Sequence, residues 1–397
     1  NGRVEKKTMR WHKLSVPLVS ILLVVLGICL FAGGAEDAYL ITGAKVYTSG
    51  TRGVLTNVAL LIENGRFKRI IQGEEWPSVP VKDYSGKTIM PGMVDAHSHV
   101  SGYYRLLENT EVFTSDLIAG IIFDPLNPDA RLALESGITT VNLVPRNENL
   151  VGGISSILKL TTDFNDISVL KKRSFLKISF NAEVIRSDRA PTSLMGAEHL
   201  LSQEMLTIKS SPEQNRENIF PQNGIRSLLE GNLPPMIAAS SLAEINTTLW
   251  WLEKWQLNGV IVGGEEAHLL SSFLKKKNVP VLMSPILPSY PEKWAKNAAH
   301  LMKQGITAAF VSHMPEADPL ILRLSALMLY HQGISQEEAL KTITLFPSQI
   351  LGVADSVGSV EEGKDADFVV LEGEPLDLGS RIIAVYVNGR AVFAEEN

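Results

Sequence analysis

Ile89-Met90-Pro91-Gly92-Met93-Val94-Asp95-Ala96-His97-Ser98-His99 decides how the rest of this sequence is read. Pro91-Gly92 marks a sharp turn in the chain, and Met93-Val94 opens an apolar run of the kind found in buried strands. In an extended segment side chains alternate with period two, so Asp95, His97 and His99 share one face. Two imidazoles side by side on a strand face are a candidate metal site, and the competing reading is a pair of histidines at a polar loop edge.

Composition sets the frame for that choice. The chain has 397 residues, 45% hydrophobic and 20% charged, which suits a globular protein with a sizeable core. Its net charge is -6, from 37 basic and 43 acidic residues. The basic runs at Lys171-Lys172-Arg173 and Lys275-Lys276-Lys277 each sit beside a predicted strand or helix, so no nucleic-acid partner is expected. Near the start, Arg10, His12 and Lys13 precede an apolar run from Leu14 to Ala32 and a small-residue exit at Ala32-Gly33-Gly34-Ala35. That order is a signal peptide cleaved after Gly34, or else an uncleaved anchor through residues 14–32, so the protein is expected to be exported, periplasmic or extracellular. Cys29, the only cysteine, lies in this run. A mature exported chain then has neither a disulfide framework nor a thiol nucleophile.

Beyond residue 35 the chain changes character twice. Residues 36–88 read as short strands (39–42, 44–47, 58–62 and 67–71) with turns at Gly43, Asn64-Gly65 and Gly73, and residues 354–397 have the same strand-rich texture. Both ends therefore predict one small β-sandwich-like domain built from the two termini. Residues 89–353 alternate short apolar runs (138–144, 154–160, 174–181, 234–239, 258–263, 279–285, 306–313) with helical patterns, among them 241–256, where Ser241 and Glu244 form a capping-box signature. With the segment ending in His97 and His99 there are eight strands, the number and length of a (β/α)8 TIM-like barrel, so the fold class is α/β. Chemistry in such barrels sits at the C-terminal strand ends, where His97 and His99 fall.

The PGMVDAHSH stretch resembles the first-strand metal motif of the amidohydrolase superfamily, and VGSVEEGKDADFVVLEGEPLD (357–377) with VYVNGRAVF (385–393) resembles its closing β segment. SGITTVNLVP (136–145), VGGISSILKL (151–160) and ISQEEALKTITLFPSQILGV (334–353) are similar to an imidazolonepropionase-like branch. The resemblance implies metal-dependent hydrolysis of C–N bonds in a small amide, cyclic amide or peptide-like substrate. It implies Zn or another divalent metal held by the histidine pair, a carboxylated lysine or glutamate on strand four, histidines on strands five and six, and an aspartate on strand eight. A metal lowers the pKa of bound water to about 7, and the aspartate takes its proton.

Against that pattern the sequence is divergent, with Ala238 on strand five, Gly263 on strand six and His313 at the strand-eight aspartate position. Lys159 and Lys177 fall on strands three and four. Glu183, close to the strand-four ligand position, and His313 are candidate replacement ligands beside His97 and His99, and His313 is also a candidate base. Arg186 and Arg189, in the loop after strand four, are candidates for gripping a substrate carboxylate. His199, His268, His300 and His331 lie in helical patterns and read as structural. Two functions follow: a barrel with reduced or lost activity, a pseudoenzyme associated with itself or with an active homologue, or an active hydrolase with a rebuilt metal site.

Overall fold

The computed structural model describes residues 2, 38–211, 223–287, 289 and 291–395. The leader or anchor at residues 14–32, with Cys29, lies outside them. Among the described residues no helix is long and apolar enough to cross a membrane.

The first strands are β1 (Ala38–Thr42), β2 (Lys45–Tyr47), β3 (Val54–Leu55), β4 (Ala59–Glu63), β5 (Arg66–Ile71), β6 (Val81–Asp83) and β7 (Thr88–Pro91). The barrel region supplies β8 (Met93–Ser98), β9 (Ile138–Leu143), β10 (Val151–Ile154), β11 (Ser156–Lys159), β12 (Val169–Lys171), β13 (Leu176–Ser179), β14 (Pro235–Ala239), β15 (Val260–Gly263), β16 (Val281–Met283) and β17 (Ala308–Phe310). The chain ends with β18 (Phe368–Glu372), β19 (Arg381–Val387) and β20 (Arg390–Ala394). The order β20-β19-β18-β7-β2-β3 joins the two termini in one sheet, and β5-β4-β1-β6 forms a second. Tyr39, Ile41, Leu60 and Phe67 from one sheet pack against Val46, Ile89, Phe368 and Tyr386 from the other, which is the two-layer sandwich expected. Residues 383–393 form part of a hairpin, because Asn388 and Gly389 both take positive φ (48° and 71°), the geometry of a tight two-residue turn. The domain boundary also moves: β7 belongs to the sandwich, and the barrel begins at Met93.

In the barrel, β13 to β17 run parallel in register, and alternate residues go to opposite faces. Met236, Val260, Val262, Leu282 and Ala309 pack inside with Val94 and Ala96. Ile237, Ile261, Val281 and Phe310 join the outer layer with the helices. Burial on both faces is why these strands read as continuous apolar runs. One helix, Leu242–Trp255, has the predicted capping box at Ser241 and Glu244.

The third strand departs from the expected pattern. β10 and β11 form one length through Ser155, and it runs antiparallel to both neighbours, β11 to β9 (Leu143↔Ser156) and β10 to β13 (Ile154↔Leu176). Residues 144–150 are too few for the dozen or so that a parallel crossover requires, so the chain returns as a hairpin. The barrel closes between β8 and β17, where Thr342 and Ile343 carbonyls accept from the Phe310 and Val94 N–H groups and Met314 O accepts from His99 N.

Candidate functional site

The site is built at the end of β8. Asp95 opposes Val141 and Ser98 opposes Leu143, so three steps on β8 face two on β9. This bulge carries the extra residue directly at the histidine pair, and bulges re-aim side chains in this way. Close approach of the two strands needs Gly92, since a Cβ there would lie 2.1 Å from Thr139 Oγ1. His97 and His99 are buried, their rings edge to face with centroids 5.0 Å apart. Outside its own backbone, neither ring nitrogen of His97 finds a hydrogen-bond partner among the described residues. Burial pulls His97 well below the usual imidazole range, and the nearness of Lys177, His99 and His313 adds to the pull. Burial and the nearby His313, Lys177 and Arg146 take His99 down to about 3.

Asp95, on the same strand, is fully buried and points to strand eight. It accepts from Ser312 N at 3.1 Å, from Ser312 Oγ, and from His97 N at 3.4 Å. Burial raises its pKa, and these donors oppose the rise. Asp95 thus straps β8 to the end of β17 and is engaged there.

Lys177 on β13 is in register with Met236, one of the inner-face residues, so it rises inside the barrel. Its Nζ reaches only the Ile178 carbonyl, at 3.5 Å, among the described residues. Burial lowers it to about 7, with Glu183 and Glu148 nearby pulling the other way. His313 follows β17 in the left-handed region, φ 56°, an uncommon conformation that clusters at functional sites.

The remaining candidates fare differently. Glu183 is exposed on a short 3-10 turn and accepts from Asn181 Nδ2 (2.8 Å) and Asn147 Nδ2 (3.3 Å), beside the mouth and outside the histidine cluster. Arg186 forms a two-pronged pair with Asp188 (Nε–Oδ1 2.8 Å, Nη2–Oδ2 2.5 Å). Arg189 donates to Glu148 O at 3.2 Å and Asn149 Oδ1 at 3.1 Å, so it braces the loop over the barrel mouth. Both guanidiniums are engaged by the protein itself. Sequence reading missed that loop, residues 144–150, where Arg146 pairs with a half-buried Glu148. Its place at the end of a barrel strand was the available signal. Lys159 lies at the other end of the barrel, bound to Asp365 (2.7 Å), Asp367 (2.9 Å) and Asn388 (2.5 Å).

The donor set tests the implied divalent metal. Ala238, in register with the inner-face Val262, is buried and has no ligating atom. At Gly263, φ is 99° and a Cβ would lie 2.7 Å from Ser240 Oγ and 3.2 Å from Glu265 Oε2, so those side chains occupy the space an imidazole would need. Among the described residues no three His, Cys, Asp or Glu side chains are grouped to hold a metal ion. The residues as they stand do not fit the family's metal.

Fold and site place the chain in a class: eight-stranded barrels with a histidine pair ending the first strand and a β domain made by both termini. The comparisons agree on one family, the amidohydrolases, to which this chain is similar in sequence and fold. Its residues 213–392 match the model of the amidohydrolase family. An amidohydrolase structure from Thermotoga maritima superposes with a TM-score of 0.82 at 28% identity, over 90% of this chain and 100% of that one. Imidazolonepropionase from Thermoplasma acidophilum is 23% identical over 360 residues, 82% of this chain and 85% of that protein. Amidohydrolase tasK from Hapsidospora irregularis is 33% identical over 93 residues, 23% of this chain but only 10% of that protein. At family level the chemistry is metal-dependent hydrolysis.

Proposed function

We propose that this protein keeps the amidohydrolase barrel, has lost the family's metal-dependent C–N hydrolysis, and uses its strand-end site to bind a ligand. One observation carries the reading: the inner site consists of nitrogen bases, His97, His99, Lys177 and His313, with Ala238 on the inner face and Gly263 at the strand-six end, the positions that the resemblance gives to histidines. Losing several ligands of a metal site removes both affinity and the base that the reaction needs. The same reading has the chain exported, through the apolar run at 14–32, and associated with itself or an active homologue. Cell fractionation and co-purification test those two points.

The main test is to quantify Zn, Mn and Fe in protein purified under metal-replete conditions and to assay amides, cyclic amides and dipeptides. Substoichiometric metal and no turnover are expected. Stoichiometric metal that is lost in His97→Ala, with turnover lost alongside, overturns the proposal. A second reading is favoured by Lys177 alone, since a buried lysine near neutrality reacts with CO2 to give a carbamate and a released proton. The carbamate would add an oxygen ligand to His97 and His99. Metal uptake that depends on bicarbonate and vanishes in Lys177→Met would establish this rebuilt site.

A further inference from the structure

We infer that the strand-end cluster of this barrel binds a small carboxylate, held by Lys177 and His97. The inference rests on the proposed loss of metal chemistry, because a resident cation would occupy the same nitrogens. Three observations point to an oxyanion. The first is a shortage of acceptors: Lys177 Nζ has a 3.5 Å contact to a neighbouring carbonyl and His97 has no partner outside its own backbone, though both side chains are fully buried. Buried donors in native proteins are almost always satisfied, and a strong acceptor is what these lack.

The second is the arrangement of charge. Lys177, His99 and His313 lie near His97, and Arg146 lies near His99, so nitrogen donors gather at this strand end. Asp95 is engaged by Ser312, Glu148 by Arg146, and Glu183 by two asparagines at the exposed rim. Each of these three acids has a protein partner, and Glu183 and Glu148 also lie near Lys177, which favours its charged form as a donor to an anion. The third is the floor of the site, where Met236, Ala238 and Val262 line the barrel interior in register with Lys177 and Ser179. An apolar floor under nitrogen donors matches a carboxylate on a short aliphatic stem, whereas a phosphate would face those methyl groups with polar oxygens on every side.

The test is calorimetric titration of the full chain with propionate, with inorganic phosphate and zinc as separate arms. Propionate is expected to bind saturably and phosphate far more weakly. Lys177→Met should weaken propionate by at least about tenfold, the order of one charge-assisted hydrogen bond. Arg390→Ala, on the terminal β domain, should leave binding unchanged, and circular dichroism of each variant confirms that the barrel is folded. If Lys177→Met does not fold, His97→Phe gives the same reading. No propionate binding, or equal binding in the folded variants, overturns the inference while leaving the loss of hydrolysis intact. Tight zinc binding that depends on His97 and excludes propionate overturns the proposed function itself.

Discussion

Asp95 shows how one residue of a metal motif also serves the architecture. Its carboxylate accepts from Ser312 N and Oγ across the barrel seam, so the first-strand motif holds the cylinder shut whether or not chemistry occurs beside it. Ser312→Ala leaves part of a buried carboxylate unsatisfied, and a loss of about 1–3 kcal/mol is expected in urea unfolding. His99 governs a pH response. Held near 3 in the folded state against about 6.5 unfolded, it takes up a proton on unfolding between those values. Stability from this group is complete above about 6.5 and falls with acidity toward 3, with a slope of at most about 1.4 kcal/mol per pH unit. Thermal melts from pH 7 to 4 should show that slope in the parent and a shallower one in His99→Gln. Restoring an imidazole at position 263 is sterically blocked, and Gly263→His should cost about 1–3 kcal/mol through its positive φ and the contact with Ser240, without raising zinc affinity.

At the scale of elements, the legible parts of the sequence were those with a local cause. The helix at Leu242–Trp255 was readable because Ser241 and Glu244 bond reciprocally within one turn. The parallel strands were readable because both faces are buried, and His97 and His99 because the spacing HxH is local. The reversed third strand was not visible in its own residues, since VGGISSILKL is equally apolar in either direction. The cue lay in the shortness of 144–150. Lys177 and Lys159 illustrate the same limit: both are fully buried strand lysines, and only the fold shows that one stands near the histidine pair while the other meets Asp365 and Asp367. Breaking a buried pair costs about 3–5 kcal/mol, so Lys159→Met should lower the urea midpoint sharply. Lys177→Met has no such carboxylate to strand and should leave the midpoint close to the parent's.

Taken whole, the molecule depends on its last strands to complete its first domain. β18 lies between β19 and β7, and Arg323, on the helix Ile321–Tyr330, donates to Pro375 O (2.9 Å) and Asp377 O (2.6 Å). Truncation at residue 365 removes β18 to β20 and leaves β7 with an open edge and Phe67 without its aromatic neighbour. An aggregated or protease-sensitive product is expected, as limited proteolysis would reveal. The reversed third strand carries a consequence for the order of assembly. The β9–β11 hairpin pairs residues close in sequence and forfeits little chain entropy, whereas the β8–β17 seam must bring together segments more than two hundred residues apart. The seam beside the histidine-bearing strand is therefore the last joint of the cylinder to close, and pulsed hydrogen exchange should find the amides of Ile157 and Leu158 protected before that of His99, which bonds across it.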